Sequence, residues 1–291
     1  SARALTPCEN APARQRETAR RHLRDLLAYI RLRARELARR PGGRVLVIGQ
    51  KAAIAALHAH GLPERVATAH LNALSGLDRW NDVAGLIVLG RTLPPPATVE
   101  TLAMALTNAP VDGCADGIAW WYERTGKRIR LANGSTHAVE GEVHPDPTAE
   151  AIRWSICEAE LIQAIGRGRA VNRTADTPLA IDLLTDVVLP VTVDEVVPWE
   201  ALRPTRRDVM AAAGVVIENA ADMARCFPEL WESADAARQD RRRSVTNSYY
   251  RTFHNSEMSH SSALVSYRPE GAGQKPRRAT FDLDQIADPE A

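Results

Sequence analysis

The sequence predicts an α/β protein: a lobe built on a mostly parallel sheet with a small antiparallel insertion, followed by an α+β module. Three observations predict it. Short continuous apolar runs recur at residues 44–49, 85–90 and 179–184, as in strands buried on both faces. Helical stretches alternate with these runs, which implies crossover connections in a parallel sheet. Within residues 118–143 the pattern changes to alternating runs, and Asn133-Gly134 between two of them is a strong hairpin signal. The expected organisation is a basic amphipathic helix over residues 1–40, the lobe over 41–190 with its insertion at 118–143, and the second module over 191–291.

Taken in order, residues 11–40 predict one helix. Leu23, Leu26, Leu27, Ile30, Ala34 and Leu37 fall on one stripe, and the other face is mostly Arg. Pro41-Gly42-Gly43 stops it. Residues 44–49 form a strand, 51–60 a helix ended by Gly61, 66–71 a second strand and 85–90 a third. The bend Pro94-Pro95-Pro96 precedes a helix over 97–107. Three strand-like runs follow, separated by Thr125-Gly126 and by Asn133-Gly134, and predict a three-stranded antiparallel insertion. Asp146 is a good N-cap and Pro147 suits the first helical position of a long helix that ends near Gly166. Its buried side carries Ile152, Ile156 and Ile162. In the second module, Thr205 and Asp208 form a capping-box pattern before a helix ended at Gly214. A strand at 215–217, helices opened by Asn219 and Ser233, and strands at 263–267 and 279–283 follow. Helix, strand, helix, helix, hairpin is the order of a winged helix-turn-helix.

The 291 residues are 45% hydrophobic and 25% charged, an ordinary soluble composition. No run of about 18 apolar residues predicts a membrane span. The first thirty residues are Arg-rich and lack the apolar stretch of a signal peptide. Cys8, Cys114, Cys157 and Cys226 are far apart, which argues against a zinc ribbon or a disulfide framework and for a reduced, cytoplasmic protein. The net charge is only +1, yet residues 1–40 hold eleven Arg against four acids and residues 238–251 hold five against one. Such segments suit either a polyanion partner or a solvated helix face.

The stretch that carries chemistry is Gln163-Ala164-Ile165-Gly166-Arg167-Gly168-Arg169, at the end of a predicted helix and just before a strand. It resembles motif VI of superfamily 2 helicases, whose core is Gln or His, two residues, Gly-Arg, one residue, Gly-Arg. The loop Ser75-Gly76-Leu77-Asp78, a few residues before the strand at 85–90, resembles motif V. The strand ending at Gln50-Lys51 resembles motif IV. The resemblance covers roughly residues 44–186 and occurs in family order. It implies a RecA-like second lobe, with Arg169 as the arginine finger, Arg167 as a second phosphate-sensing arginine, and Gln163 near the γ-phosphate. It further implies that Gly76, Asp78 and Gly166 approach the nucleotide and that Gln50 and Lys51 face nucleic acid. ATP would be the cofactor, with Mg supplied by the first lobe. The Gln163 form and the spacing are similar to primase-associated helicase-like proteins of phages and plasmids. The insertion at 118–143, and the absence of the Thr-Asp start of motif V, depart from common members.

No Gly-x-x-x-x-Gly-Lys-Ser/Thr loop and no DExD/H tetrad occurs in the chain. The first lobe is therefore expected upstream, or in another chain; the chain begins at Ser1 rather than Met, as a piece of a longer protein would. DNA is the expected partner, with no membrane. Arg238, Arg241, Arg242 and Arg243 fall at the end of the expected recognition helix, and Lys275 and Arg277 in the expected wing. Trp120-Trp121-Tyr122 suits base stacking or core packing. The eight His residues show no metal-ligand spacing, so no metal site is expected. The alternative functional reading is a catalytically inactive DNA-binding regulator; a third is a small-molecule-binding α/β domain.

Overall fold

Val45, Leu46, Val47 and Ile48 are all 0% exposed, which makes β1 (Val45–Gly49) an interior strand. It pairs in parallel with β2 (Val66–His70) on one side and β3 (Gly85–Leu89) on the other. β3 then pairs in parallel with β6 (Ala180–Leu184), giving the order β2-β1-β3-β6. The expected mixed α/β architecture with a parallel sheet is present. All four strands point one way, so Gly49, His70, Leu89 and Leu184 share the carboxyl edge and Val45, Val66, Gly85 and Ala180 the amino edge. The computed structural model describes residues 11–38, 40–73, 80–113, 121–243, 262–269, 275–283 and 286. Among these, no helix is long and apolar enough to cross a membrane.

The chain divides into two units: residues 1–20 with 33–196, and residues 21–32 with 197–291. Both draw on α1 (Ala13–Leu37), whose predicted stripe from Leu23 to Leu37 is buried throughout. In the larger unit, the guanidinium of Arg33 grips both carboxylate oxygens of Asp182 on β6 at 2.8 and 2.9 Å. Gly85 gives Leu37 room: a Cβ there would meet the Leu37 Cδ1 at 2.4 Å, so a larger residue would have to turn Leu37 aside. Gly42 sits at φ 86°, and a side chain there would also collide with the Asp82 carbonyl, so the turn after α1 is closed by glycine on two counts.

α2 (Lys51–Ala59) and α5 (Glu158–Gly166) pack on the sheet, while α3 (Pro96–Thr107) and α4 (Pro147–Ile156) pack on each other around Tyr122. The predicted single helix over 147–166 is two helices. Cys157, at φ −100° and ψ −73°, interrupts it, and Asp146 caps the first as expected, accepting from the Thr148 and Ala149 amides. The insertion also differs from expectation. β4 (Glu123–Leu131) runs straight through Thr125-Gly126 and pairs antiparallel with β5 (Thr136–Val143) around Asn133-Gly134. Its third strand is β7 (Thr192–Val193), from far along the chain and parallel to β4. The first of the three predicted runs, ahead of Thr125-Gly126, falls partly outside the described residues, and its last two residues, Glu123 and Arg124, belong to β4 itself. The expectation failed because a glycine inside a strand reads like a turn when its partners cannot be seen. Of the aromatic run, Tyr122 is buried, donating to the Pro94 carbonyl at 2.8 Å.

The second unit contains α6 (Trp199–Leu202), α7 (Arg206–Ala212), β8 (Val215–Ile217), α8 (Ala220–Cys226), α9 (Ala234–Arg243), β9 (Ser262–Tyr267) and β10 (Arg277–Asp282). The strands form an antiparallel sheet in the order β8-β10-β9. Thr205 and Asp208 close the full capping box before α7. Residues 21–32 of α1 join this unit: Asp25 accepts from Arg203 at 2.6 Å and Tyr29 meets Trp199 edge to face. Met210, Met223, Trp231 and Ala237 form its core.

One buried carboxylate orders that core. Asp222 accepts from the Tyr267 hydroxyl and from Arg277, each at 2.6 Å. Burial alone would raise its pKa, but the Arg277 and Tyr267 hydrogen bonds outweigh burial and lower it. Burial and the Asp222 bond together raise that of Tyr267. The Asp222 contribution to stability is thus complete above the unfolded value of about 3.9 and lost as pH falls through the lowered one. The Tyr267 contribution is complete below about 10 and lost as pH rises through the raised one. Asp222→Asn is expected to cost about 2 kcal/mol in urea unfolding monitored by circular dichroism, with the loss concentrated above pH 4. An unchanged midpoint would show that the carboxylate is not the organiser.

Candidate functional site

The Gly-Arg-Gly-Arg corner is built by α5. Glu158 and Glu160 occupy its first turn, where acids suit the helix dipole, and Leu161 and Ala164 bury one face. These two residues join Leu46, Ile48, Leu86 and Val88 in the core of the sheet. At the helix start the amide of Asn72, just past β2, donates to Glu160. Past its end Gly168 lies against Leu179, just before β6. The helix therefore runs antiparallel to the strands and delivers residues 166–169 to the amino edge of the sheet.

Four local features set the corner. Gly166 and Gln163 are exposed, while Arg167 and Arg169 are half-buried. Gly168 is buried, and a Cβ there would collide with the Leu179 side chain. Arg169 adopts the left-handed conformation, φ 52° and ψ 46°, which costs a non-glycine residue roughly 1–2 kcal/mol. Finally, the Arg173 guanidinium donates twice to the Gly168 carbonyl, at 2.9 and 3.2 Å, and holds the turn shut. The next turn, Ala170–Asn172, projects Val171 at 90% exposure. Backbone strain of this kind collects at sites with a task, and here it falls on Arg169.

Trp80 and Val83, which follow the motif V-like residues in sequence, pack in the same core cluster as Leu161 and Ala164. Gly76 and Asp78 lie outside the described residues. The motif IV-like pair is elsewhere. Gln50 precedes α2 and donates to the Arg91 carbonyl, and Lys51 is exposed at the first turn. Both sit at the carboxyl edge, one strand length, roughly 16 Å, from the arginine corner's edge.

Sequence reasoning missed an ionic cluster around the start of α5. Arg153, 1% exposed, donates to Glu150 at 2.6 and 2.8 Å and to Glu158 at 2.6 Å. Burial works against its charge, but those two carboxylates more than offset it and raise its pKa. Lys127 on β4 lies 3.8 Å from Glu158 and donates to the Glu142 carbonyl at 3.0 Å. Glu142 meets Arg91 at 2.6 Å and accepts from the Trp121 indole at 2.7 Å. Between α4 and α5 the Cys157 thiol is fully buried, and burial together with the Glu158 charge pushes its pKa up to about 12. These residues span positions 91 to 158 without a common spacing, so no sequence pattern announced them.

In the second unit, Arg238, Arg241 and Arg242 are exposed on α9. Arg238 pairs with Asp235, and Arg241 donates to the Glu218 carbonyl at 2.9 Å. Arg243 ends the helix. Lys275 is exposed before β10, whereas Arg277 is half-buried and committed to Asp222. Arg278, beside it, is exposed instead.

No family model, curated protein or solved structure matches the chain.

The buried junction has a chemical signature. Under native conditions at pH 8, iodoacetamide should modify exposed Cys226 and leave Cys157 untouched until denaturant is added. Peptide mass spectrometry reads both sites. Equal labelling rates in the native protein would mean that the α4–α5 junction is open to solvent.

Proposed function

We propose that the larger unit is a second, RecA-like lobe of a DNA-dependent ATPase of the helicase type, and that the second unit is a winged-helix DNA-binding module. The observation that carries the first reading is the corner at residues 166–169. Two arginines follow a helix in the order of motif VI, one residue closer together than in that motif's Arg-x-Gly-Arg, and they are fixed by a buried glycine and a strained backbone at a surface edge. ATP hydrolysis spreads negative charge over the γ-phosphoryl oxygens in the transition state, and a guanidinium offered by a facing lobe stabilises that charge. Arginine suits the task because it is planar, always charged and able to engage two oxygens.

In this reading ATP and Mg are held by a first lobe. Arg169 acts as the finger, Arg167 senses the phosphates, and Gln163, one turn before Arg167 on α5, faces the same edge. Gly166 leaves room for the nucleotide, and Gly76 and Asp78 contact its ribose side. Gln50 and Lys51, at the opposite edge, contact nucleic acid rather than nucleotide. The second reading rests on the element order from α7 onward, helix-strand-helix-helix-strand-strand, and on the sheet order β8-β10-β9. The exposed Arg238, Arg241 and Arg242 on α9 and Lys275 before β10 are then the DNA contacts, with Arg243 beside them. Replication or mobile-element DNA metabolism is the setting such a protein would serve.

The test needs the phosphate-binding lobe, fused to this chain or added to it. Arg169→Ala is expected to lower kcat by roughly 10³ or more while the Kd for ATP moves far less. Arg169→Lys should recover little, because a point charge cannot replace the fork. Turnover that survives Arg169→Ala removes the finger assignment. DNA affinity with no dependence on ATP in that two-lobed protein would favour an inactive DNA-binding regulator instead.

A further inference from the structure

The β4–β5 hairpin belongs neither to the motif-bearing segments nor to the second unit, yet it is rich in arginine. Its charges divide into two groups. Arg124 is satisfied by Glu140 across the strands, at 3.3 Å, and Lys127 is turned to Glu158. Arg128 and Arg130 are different. Both are exposed, and the register places Ala138 opposite Arg128 and Thr136 opposite Arg130. On the other side of β4, Arg130 faces Thr192 of β7. The row across the three strands is therefore Thr136, Arg130, Thr192, all exposed and on one face, with Arg128 next along the strand.

Alternate residues of a strand stand about 6.6 Å apart on the same face. Two like charges at that spacing, opposite small or hydroxyl residues, repel each other and gain nothing from the sheet. Among the described residues neither is in an ion pair, and Arg130 makes one long contact, 3.4 Å, to the Pro190 carbonyl. Two acids share this face: Glu140, opposite Gly126 and diagonal to Arg128, is engaged by Arg124, and Asp194 follows β7 beyond its paired residues. The face has what a phosphodiester backbone needs: two guanidinium forks, hydroxyl donors on both sides, and small neighbours that let the strand lie close.

We infer that this face of the hairpin, centred on Arg128 and Arg130 with Thr136 and Thr192, is a binding surface for the phosphate backbone of a DNA strand. It deepens the proposed function and rests on its nucleic-acid partner, but not on the arginine finger. The contact is to backbone and carries no base preference. It gives Arg128 and Arg130 the counter-charge that Glu140, engaged by Arg124, does not supply.

The experiment is fluorescence anisotropy of a labelled single-stranded oligonucleotide against the whole chain, over a series of salt concentrations. Arg128→Glu with Arg130→Glu should weaken binding at least tenfold at low salt. The slope of log affinity against log salt should fall by about 1.4, the value for two phosphates on a single strand. The paired Arg→Lys variant should keep the slope and most of the affinity. Both sites are exposed, so an unchanged thermal midpoint certifies the fold. If the wild-type chain binds and the Glu variant binds equally well with the same slope, this surface is overturned while the proposed function stands. If the wild-type chain binds no oligonucleotide even at low salt, the DNA partner and the surface fall together. If polyglutamate of equal charge competes as well as the oligonucleotide, the face takes acidic polypeptide and the inference is wrong. Loss of the Arg169→Ala effect on ATP turnover, by contrast, leaves this result untouched.

Discussion

A single buried guanidinium holds the larger unit's working parts in register. Arg153 projects from α4, engages Glu150 one turn behind it, and crosses to Glu158 at the first residue of α5. Glu158 in turn faces Lys127 from β4. Two helices and the insertion thus meet at one carboxylate. Such a cluster is a poor way to gain stability, since well-packed apolar residues of similar volume often do as well or better. What it supplies is direction. A carboxylate and a guanidinium satisfy each other only over a narrow range of distances and angles, so the start of α5 is fixed in rotation as well as position.

The break at Cys157 follows from this. An unbroken helix would carry Glu158 round by one regular step from Cys157, and the interruption re-aims it. The thiol left inside is surrounded by apolar atoms and by the Glu158 charge, and it resists ionisation for both reasons. Beyond the break the helix is short, and its far end is fixed by different means: Gly168 against Leu179, and Arg173 on the Gly168 carbonyl. The left-handed backbone at Arg169 is tolerable because these contacts over-determine it.

How much of this could be read from residues alone depends on range. Strands β1 and β3 were legible because each is a continuous apolar run whose burial needs no knowledge of its partner. Caps were legible because they are local: Asp146, Thr205 and Asn219 each accept from amides two or three residues away. The Gly-Arg-Gly-Arg string was visible as such, and it falls at a surface edge of the larger unit. What stayed hidden needed partners distant in sequence. Thr125-Gly126 looked like a turn because Gly141 and Glu140, its cross-strand partners, were not in view. The third strand of the insertion came from residues 192–193, which show no strand pattern of their own. Arg277 looked like a free cation of a wing, but Asp222, 55 positions earlier, claims it. The ionic cluster at Arg153 was hidden for the same reason.

On the proposed reading, fixing both ends of this nine-residue helix bears on chemistry more than on folding. Transition-state stabilisation by a guanidinium depends on where its donors sit, and a displacement of about 1 Å can cost on the order of 10²-fold in rate. An apolar contact at the start of α5 would tolerate sliding and rotation at little cost; the Arg153–Glu158 pair does not. On the proposed reading, the buried ions at one end of α5 and the strained turn at the other are two parts of one requirement. The first fixes where the helix begins, the second fixes how the chain leaves it, and together they determine where Arg167 and Arg169 are offered to a facing lobe.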